Sequence, residues 1–295
     1  MVWTERFAAA KVNLFLHVGP PAADGYHPVC SLMVFADVGD IVRVRDAPAM
    51  AFRLDGPFAG ALEADPDNLV TRARDGLLAA AVAPRPFELV LEKRLPIAAG
   101  LGGGSADAAA ALVLLNQRLA GAGLGEERLA AIARTLGADV AACLGSRAVI
   151  GEGRGDEGRP APPMPALDAV LVNPRAPSAT GAVYRAFDAL ATGAGADSPE
   201  LPAAFASTAE VVALLDRTRN DLETAAIALQ PAIAEVLAAL ATAPETLFSR
   251  MSGSGATCFA LAAGPAAARS LAARLAAAHP GWWIQPCRFG GEAPS

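Results

Sequence analysis

The chain has 295 residues, 53% of them apolar and 18% charged, which is enough length and apolar content for packed cores and excludes intrinsic disorder. Lys and Arg total 24 against 30 Asp and Glu, so the net charge is −6 and the pI about 5.2. That balance excludes a global basic field for nucleic acid and leaves room only for a local anion pocket.

The longest uncharged stretch, 251–268, opens on Met-Ser-Gly-Ser-Gly and contains Gly264-Pro265. It reads as loop, strand and turn rather than as a membrane span. Glu5, Arg6 and Lys11 interrupt the first residues too early for a signal peptide, so a cytoplasmic location is expected. Four cysteines (Cys30, Cys143, Cys258, Cys287) form no C-x-x-C pair, and His17, His27 and His279 show no zinc spacing. Buried, reduced thiols and no fixed metal site are the expectation.

In chain order, KVNLFLHV at 11–18 alternates, with Val12, Leu14, Leu16 and Val18 on one side and Lys11, Asn13, Phe15 and His17 on the other. The period predicts a half-buried strand. Pro20-Pro21 and Asp24-Gly25 mark a turn, and 41–45 and 87–92 read as strands. Asn68 can cap a helix whose stripe runs Leu69, Arg72, Ala73, Gly76, Leu77, Ala80. A glycine-rich loop at 100–104 leads into a helix over 105–119 with Ala108, Leu112, Leu115 and Leu119 as its core stripe. The next helix spans 126–136 and stops at Gly137. Residues 158–166 (GRPAPPMPA) read as a linker. Beyond it come a strand at 169–172 and helices at 180–191, 208–217 and 221–242. A strand at 256–262, a helix at 266–278 and a strand at 282–287 follow. Strands and helices mix without strict alternation, which favours an α+β fold in two domains, 1–160 and 161–295.

The strongest chemical signal is PIAAGLGGGSA at 96–106, followed at once by a helix. Glycines let backbone N–H groups approach a ligand closely, and the first helical turn adds unpaired donors and the positive end of the dipole. Ser105 brings a hydroxyl able to reach a phosphate oxygen or a magnesium ion. The pattern G-x-x-x-x-G-K-[ST] is absent from the sequence. Residues 153–158 do satisfy G-x-G-x-x-G, but a proline-rich segment follows, and Asp156 and Glu157 would repel a pyrophosphate. Three weaker features accompany the loop: Lys11 on its strand, Asp139 after Gly137-Ala138, and a second glycine loop, MSGSGA, at 251–256. Together they offer an anion cradle, a cation and a candidate base.

PIAAGLGGGSA and MSGSGAT resemble the two glycine motifs of the GHMP small-molecule kinase superfamily. AAAKVNLFLHV at 8–18, DGYH at 24–27, DNLV at 67–70, GADV at 137–140 and NDLE at 220–223 extend the resemblance over nearly the whole chain, in the family's order. DGYH points to the branch acting on a cytidine diphosphate-linked methylerythritol. The resemblance implies an N-terminal domain like ribosomal protein S5 domain 2 and a ferredoxin-like C-terminal domain, with ATP and substrate meeting between them. The implied reaction is phosphorylation by ATP with Mg2+ of the substrate's 2-hydroxyl, in the non-mevalonate isoprenoid route, without nucleic-acid or membrane partners and with oligomeric state open.

The resemblance also implies site residues. Lys11 and Asp139 fall at the transfer site, Asp139 as proton acceptor. ATP would be held by Pro96, Ile97, Ala98, Ala99, Gly100, Leu101, Gly102, Gly103, Gly104, Ser105 and Ala106, with Asn68 at the adenine. The substrate would be held by Asn13, Tyr26, His27, Thr180 and Tyr184, the two tyrosines stacking on the cytosine. Ala106-Asp107 stands where the family often has Ser-Asn, so a hydroxyl and an amide expected beside the phosphates are replaced. A non-catalytic ligand sensor on this scaffold and another GHMP kinase are the competing functions. The presence of Lys11 and Asp139 argues against the first, and DGYH and NDLE against the second.

Overall fold

The computed structural model describes residues 2–62, 68–80, 85–119, 123–155, 157–190 and 195–290; Asp67, Asp156 and the last residue of the expected 180–191 helix lie outside them. The N-terminal half runs β1 (Thr4–Val18), β2 (Val29–Asp46), β3 (Ala51–Asp55), α1 (Leu69–Ala80), β4 (Phe87–Glu92), α2 (Gly103–Arg118), α3 (Glu126–Leu136), α4 (Ala138–Cys143), β5 (Val149–Glu152) and β6 (Glu157–Pro160). The C-terminal half runs β7 (Leu167–Asn173), α5 (Thr180–Leu190), α6 (Thr208–Leu215), α7 (Glu223–Leu229), α8 (Ala232–Ala241), β8 (Thr246–Met251), β9 (Cys258–Ala262), α9 (Pro265–Ala278) and β10 (Trp283–Phe289).

The long β2 organises the first half. It pairs antiparallel with β1 along its length, with β4 through Ile41–Asp46 and with β5 through Ser31–Met33. In the second half β10, β7, β9 and β8 form an antiparallel run, joined to β2 through Phe289 opposite Ala36. One core lies between the first sheet and α1–α4 and includes Val42, Leu77, Leu89, Leu112 and Leu115. Another lies between the second sheet and α5 and α7–α9 and includes Val170, Ile233 and Leu271. Between them a shared core unites Val12, Leu14 and Phe15 with Leu171, Phe259 and Phe289. Burying each such side chain contributes about 1.5–3 kcal/mol, so this shared core ties the two halves together.

Several expectations change. The strand at 11–18 is not half-buried: Lys11, Asn13 and His17 are as enclosed as their apolar neighbours, because the polar side is roofed by the glycine loops and by residues 218–222. Bulges at Ala9/Lys11 and Asn13/Phe15 also break the strict alternation, and Phe15 packs with Val12 and Leu14. The helix after the glycine loop starts at Gly103, two residues early, because Gly102 turns the chain in the left-handed region (φ 59°). The expected 221–242 helix is two, broken at Gln230-Pro231, where proline has no N–H to continue the ladder. Part of the supposed linker pairs as β6 with β5. Among the described residues no helix is long and apolar enough to cross a membrane, and all four cysteines are free and buried.

Candidate active site

β1 carries the centre of the site. Lys11 Nζ lies 2.9 Å from Asn13 Oδ1 and 3.0 Å from Asp139 Oδ2. Lys11 is buried, while the Asp139 side chain stays 41% exposed, so the pair presents a carboxylate to the cavity and a cation behind it. Asp139 stands in the first turn of α4, a helix of six residues opened by Gly137, where the dipole favours a carboxylate. Asn13 Nδ2 donates to Ser31 Oγ at 2.7 Å, and Ser31 donates to the Phe15 carbonyl at 2.6 Å, which fixes the amide so that its oxygen faces Lys11.

The two glycine loops pack backbone against backbone over this strand. Lys11 N–H donates to Leu101 O (2.8 Å), and Thr257 N–H to Ala99 O (3.0 Å). Ser252 Oγ bridges them, accepting from Asn13 N–H at 3.1 Å and donating to Gly100 O at 2.9 Å. A Cβ on Gly100 would come within 2.3 Å of Ser252 O, so this contact requires glycine. NDLE, used above only as a mark of resemblance, is the clamp beneath. Asn220 Nδ2 donates to Met251 O and Gly253 O, both at 2.8 Å; Asp221 accepts from Val18 N–H; Glu223 accepts from Met251 N–H.

At the start of α2 the N–H groups of Gly103, Gly104 and Ser105 precede the first intrahelical bond, Ala106 N–H to Gly102 O. They are free to hold an anion, with the dipole adding about 0.3–1 kcal/mol. The glycines are not equivalent. A Cβ on Gly102 would lie 3.0 Å from Lys11 Cε, whereas one on Gly103 would point inward, 3.3 Å from Lys93 Nζ.

Lys93 belongs to a buried cluster that the sequence did not reveal. Its ammonium lies 2.5 Å from Asp40 Oδ2 and 2.8 Å from Asp107 Oδ2, all three residues being almost fully enclosed. Asp40 Oδ1 also accepts the N–H groups of Arg94 and Leu95. Asp107 Oδ1 has no partner. Burial drives the Asp107 carboxyl up to about 8, against the pull of Lys93 and with Asp40 adding to the rise. Asp107 therefore does not simply replace an amide at the phosphates; it is engaged below the loop.

One cavity of about 870 Å³ brings together Lys11, Asn13, Tyr26, His27, Asn68, Asp139, Thr180, Tyr184 and residues 96–105. Ala106 is outside it, packed in the α1–α4 core. Toward α1 the wall is apolar (Leu62, Leu69, Val70, Leu91), and Asn68 Oδ1 caps α1 by accepting from Val70 and Thr71. At the other end, Tyr26 is 59% exposed with the Arg154 guanidinium 4.3 Å from its ring, and Tyr184 packs against His27 at 5.1 Å between centroids. Burial, then Asp139, pushes the Tyr184 hydroxyl up to about 12. Both His27 ring nitrogens are engaged: Nδ1–H donates to Gly19 O at 2.8 Å, and Nε2 lies 3.2 Å from Asp188 Oδ1. Thr180 Oγ1 meets Ser254 Oγ at 2.9 Å. In the G-x-G-x-x-G stretch Gly158 pairs within β6, and Arg154 and Gly155 line the cavity. Among the described residues no cluster of three or more His, Cys, Asp or Glu could hold a metal ion.

The chain matches the family profile described as GHMP kinases N terminal domain over residues 68–147, and that described as GHMP kinases C terminal over 203–281. A 4-diphosphocytidyl-2-C-methyl-D-erythritol kinase of Caulobacter vibrioides is 56% identical over 285 residues, 96% of this chain and 98% of the relative. One from Cereibacter sphaeroides is 47% identical over 294 residues, 98% of this chain and 100% of the relative. A crystal structure of 4-(cytidine 5'-diphospho)-2C-methyl-D-erythritol kinase aligns with a TM-score of 0.78 at 35% identity, covering 98% of this chain and 100% of that one. A homoserine kinase from Cytophaga hutchinsonii shares the fold, with a TM-score of 0.68 at 21% identity over 97% and 95% of the two chains.

Proposed function

Since the chain belongs to the 4-diphosphocytidyl-2-C-methyl-D-erythritol kinases, a branch of the GHMP kinases, we propose that its cavity transfers the γ-phosphoryl group of ATP to the 2-hydroxyl of that cytidine compound, a step of the non-mevalonate isoprenoid route. The observation that carries the reading is the Lys11–Asp139 pair, 3.0 Å apart, in the same cavity as the N-terminus of α2 and the Tyr26–His27–Tyr184 group. Phosphoryl transfer is mainly positioning and electrostatic stabilisation, so this sparse set is chemically sufficient.

In this reading the phosphates rest on the N–H groups of Gly103, Gly104 and Ser105, and the base enters the apolar slot beside Asn68. Mg2+ fits as an ion carried by the phosphates, with the Ser105 hydroxyl as a protein donor, and when bound it neutralises charge on the transferred group. Asp139 takes the proton of the 2-hydroxyl, and Lys11 orients that hydroxyl and offsets developing charge. Asn13, with its amide already fixed by Ser31, and Thr180 bind the polar chain.

The cytosine lies between Tyr26 and Tyr184. With both imidazole nitrogens taken, its edge is read by the main chain of His27, whose N–H and C=O have no partner among the described residues. An N–H beside a C=O suits the N3 acceptor and the 4-amino donor of cytosine and opposes the reversed pattern of uracil. The domain boundary in this reading falls between residues 160 and 161, at the end of β6.

The test is ADP release on a panel of acceptors. Turnover with the cytidine compound, at least tenfold above its uridine counterpart and absent with homoserine and mevalonate, is expected. Equal turnover with the uridine counterpart would remove the edge-reading role, and no turnover with the cytidine compound would remove the function.

A further inference from the structure

A second cavity, of about 1030 Å³, opens elsewhere on the surface and shares no lining residue with the first. Four sequence-distant segments each send an arginine to it: Arg6 from β1, Arg94 after β4, Arg147 after α4 and Arg175 after β7. Only Arg94 is ion-paired, with Glu92 at 2.6 Å; Arg6, Arg147 and Arg175 have no carboxylate partner among the described residues. The carboxylates at the cavity are committed: Glu5 pairs with Arg43 at 3.0 Å, and Asp37 accepts the Arg288 N–H at 2.8 Å.

This concentration of unpaired guanidinium groups occurs in a chain of net charge −6. Arg175 is also held in place, with a left-handed backbone (φ 58°), its N–H donating to Asn173 Oδ1 at 2.7 Å and its guanidinium 5.8 Å from the Phe58 ring. Phe58 and Trp283 supply apolar wall. Guanidinium forks match phosphate oxygens bidentately, and a concave site with aromatic walls and a few converging charges is the form of a small-molecule pocket.

We infer that this cavity is a second binding site, for a small organic phosphate ester whose phosphate meets Arg6, Arg147 and Arg175 and whose apolar part packs on Phe58 and Trp283. The inference does not depend on the reading of the first cavity. Concavity favours a small molecule over an extended acidic polymer, which would need an open charged surface.

Calorimetric titration of phenyl phosphate and of inorganic phosphate, into the wild-type chain and the Arg147→Gln/Arg175→Gln variant, tests it. Both substituted side chains are exposed, and the variant is expected to keep wild-type turnover. Phenyl phosphate should bind saturably and more tightly than inorganic phosphate, and the double substitution should weaken it about tenfold or more. No saturable binding of phenyl phosphate, equal affinity for the two anions, or binding unchanged in the variant would overturn the proposal.

Discussion

At the scale of the residue, the chain has only two lysines, and both are buried beneath the glycine loop. Lys11 faces Asp139 across the cavity wall, whereas Lys93 is shared by two carboxylates, of which Asp40 takes two further N–H bonds. Asp107 is thus the surplus charge and holds its proton up to about 8. Its folded value lies above the ordinary one, so between the two the native state binds a proton that the unfolded chain has released; stability falls as pH rises from the ordinary carboxylate range to the folded value and levels off above it. Asp107→Asn has no such proton to lose. The melting-temperature advantage of this variant over the wild type should therefore grow as pH rises from about 5 to about 8 and level off above that; a constant difference across this range would show that Asp107 does not titrate there. Tyr26 makes a second case. Tyr26→Ala should raise KM for the cytidine compound by the equivalent of about 1–3 kcal/mol with little effect on ATP, and Tyr26→Phe should be nearly silent. A lowered melting temperature with unchanged KM would instead make Tyr26 a packing residue. Lys11, Asp139 and Tyr26 were legible because their motifs are local; the Lys93 cluster was not, since Asp40, Lys93 and Asp107 join only when β2, the end of β4 and α2 meet.

At the scale of the element, the glycine loop is set by what each position touches. Gly102→Ala puts a Cβ into a left-handed residue and against Lys11 Cε, and a small displacement of that ammonium should lower kcat by about 10²-fold. Gly104→Ala, whose Cβ would meet only Leu69 at 3.7 Å, should change kcat little. Equal kcat losses in the two variants would mean that the loop acts as a whole rather than through the Lys11 contact. The NDLE segment is similarly exposed to test. Asn220→Ala orphans Met251 O and Gly253 O, and leaving buried acceptors unpaired costs about 1–3 kcal/mol each, so urea denaturation should show a loss of about that size. Elements with strong periodicity and clear caps, such as α1, α3 and β4, were readable from sequence. The first half of β2, buried almost throughout, carries no alternation to read, and β3, β5 and the six-residue α4 are too short for a period to show.

At the scale of the whole molecule, the cavity draws on both halves. Lys11, Asp139 and the α2 N-terminus come from the first, and Thr180, Tyr184 and the second glycine loop from the second. The shared core of Val12, Phe15, Leu171 and Phe259 lies behind β1 and fixes these contributions relative to one another. Composition and motif order suggested an α+β chain with two glycine loops, but not that β1 would be enclosed on both sides, because the burial comes from segments far off in sequence, as in Lys11 N–H to Leu101 O and Asn13 N–H to Ser252 Oγ. The central claim is that phosphoryl transfer occurs at Lys11 and Asp139, where these parts converge. Its most direct test is the Asp139→Asn enzyme, measured for turnover and for the affinities of ATP and the cytidine compound. A fall in kcat of about 10²-fold or more with both affinities retained is the predicted result; turnover within threefold of wild type would contradict the account.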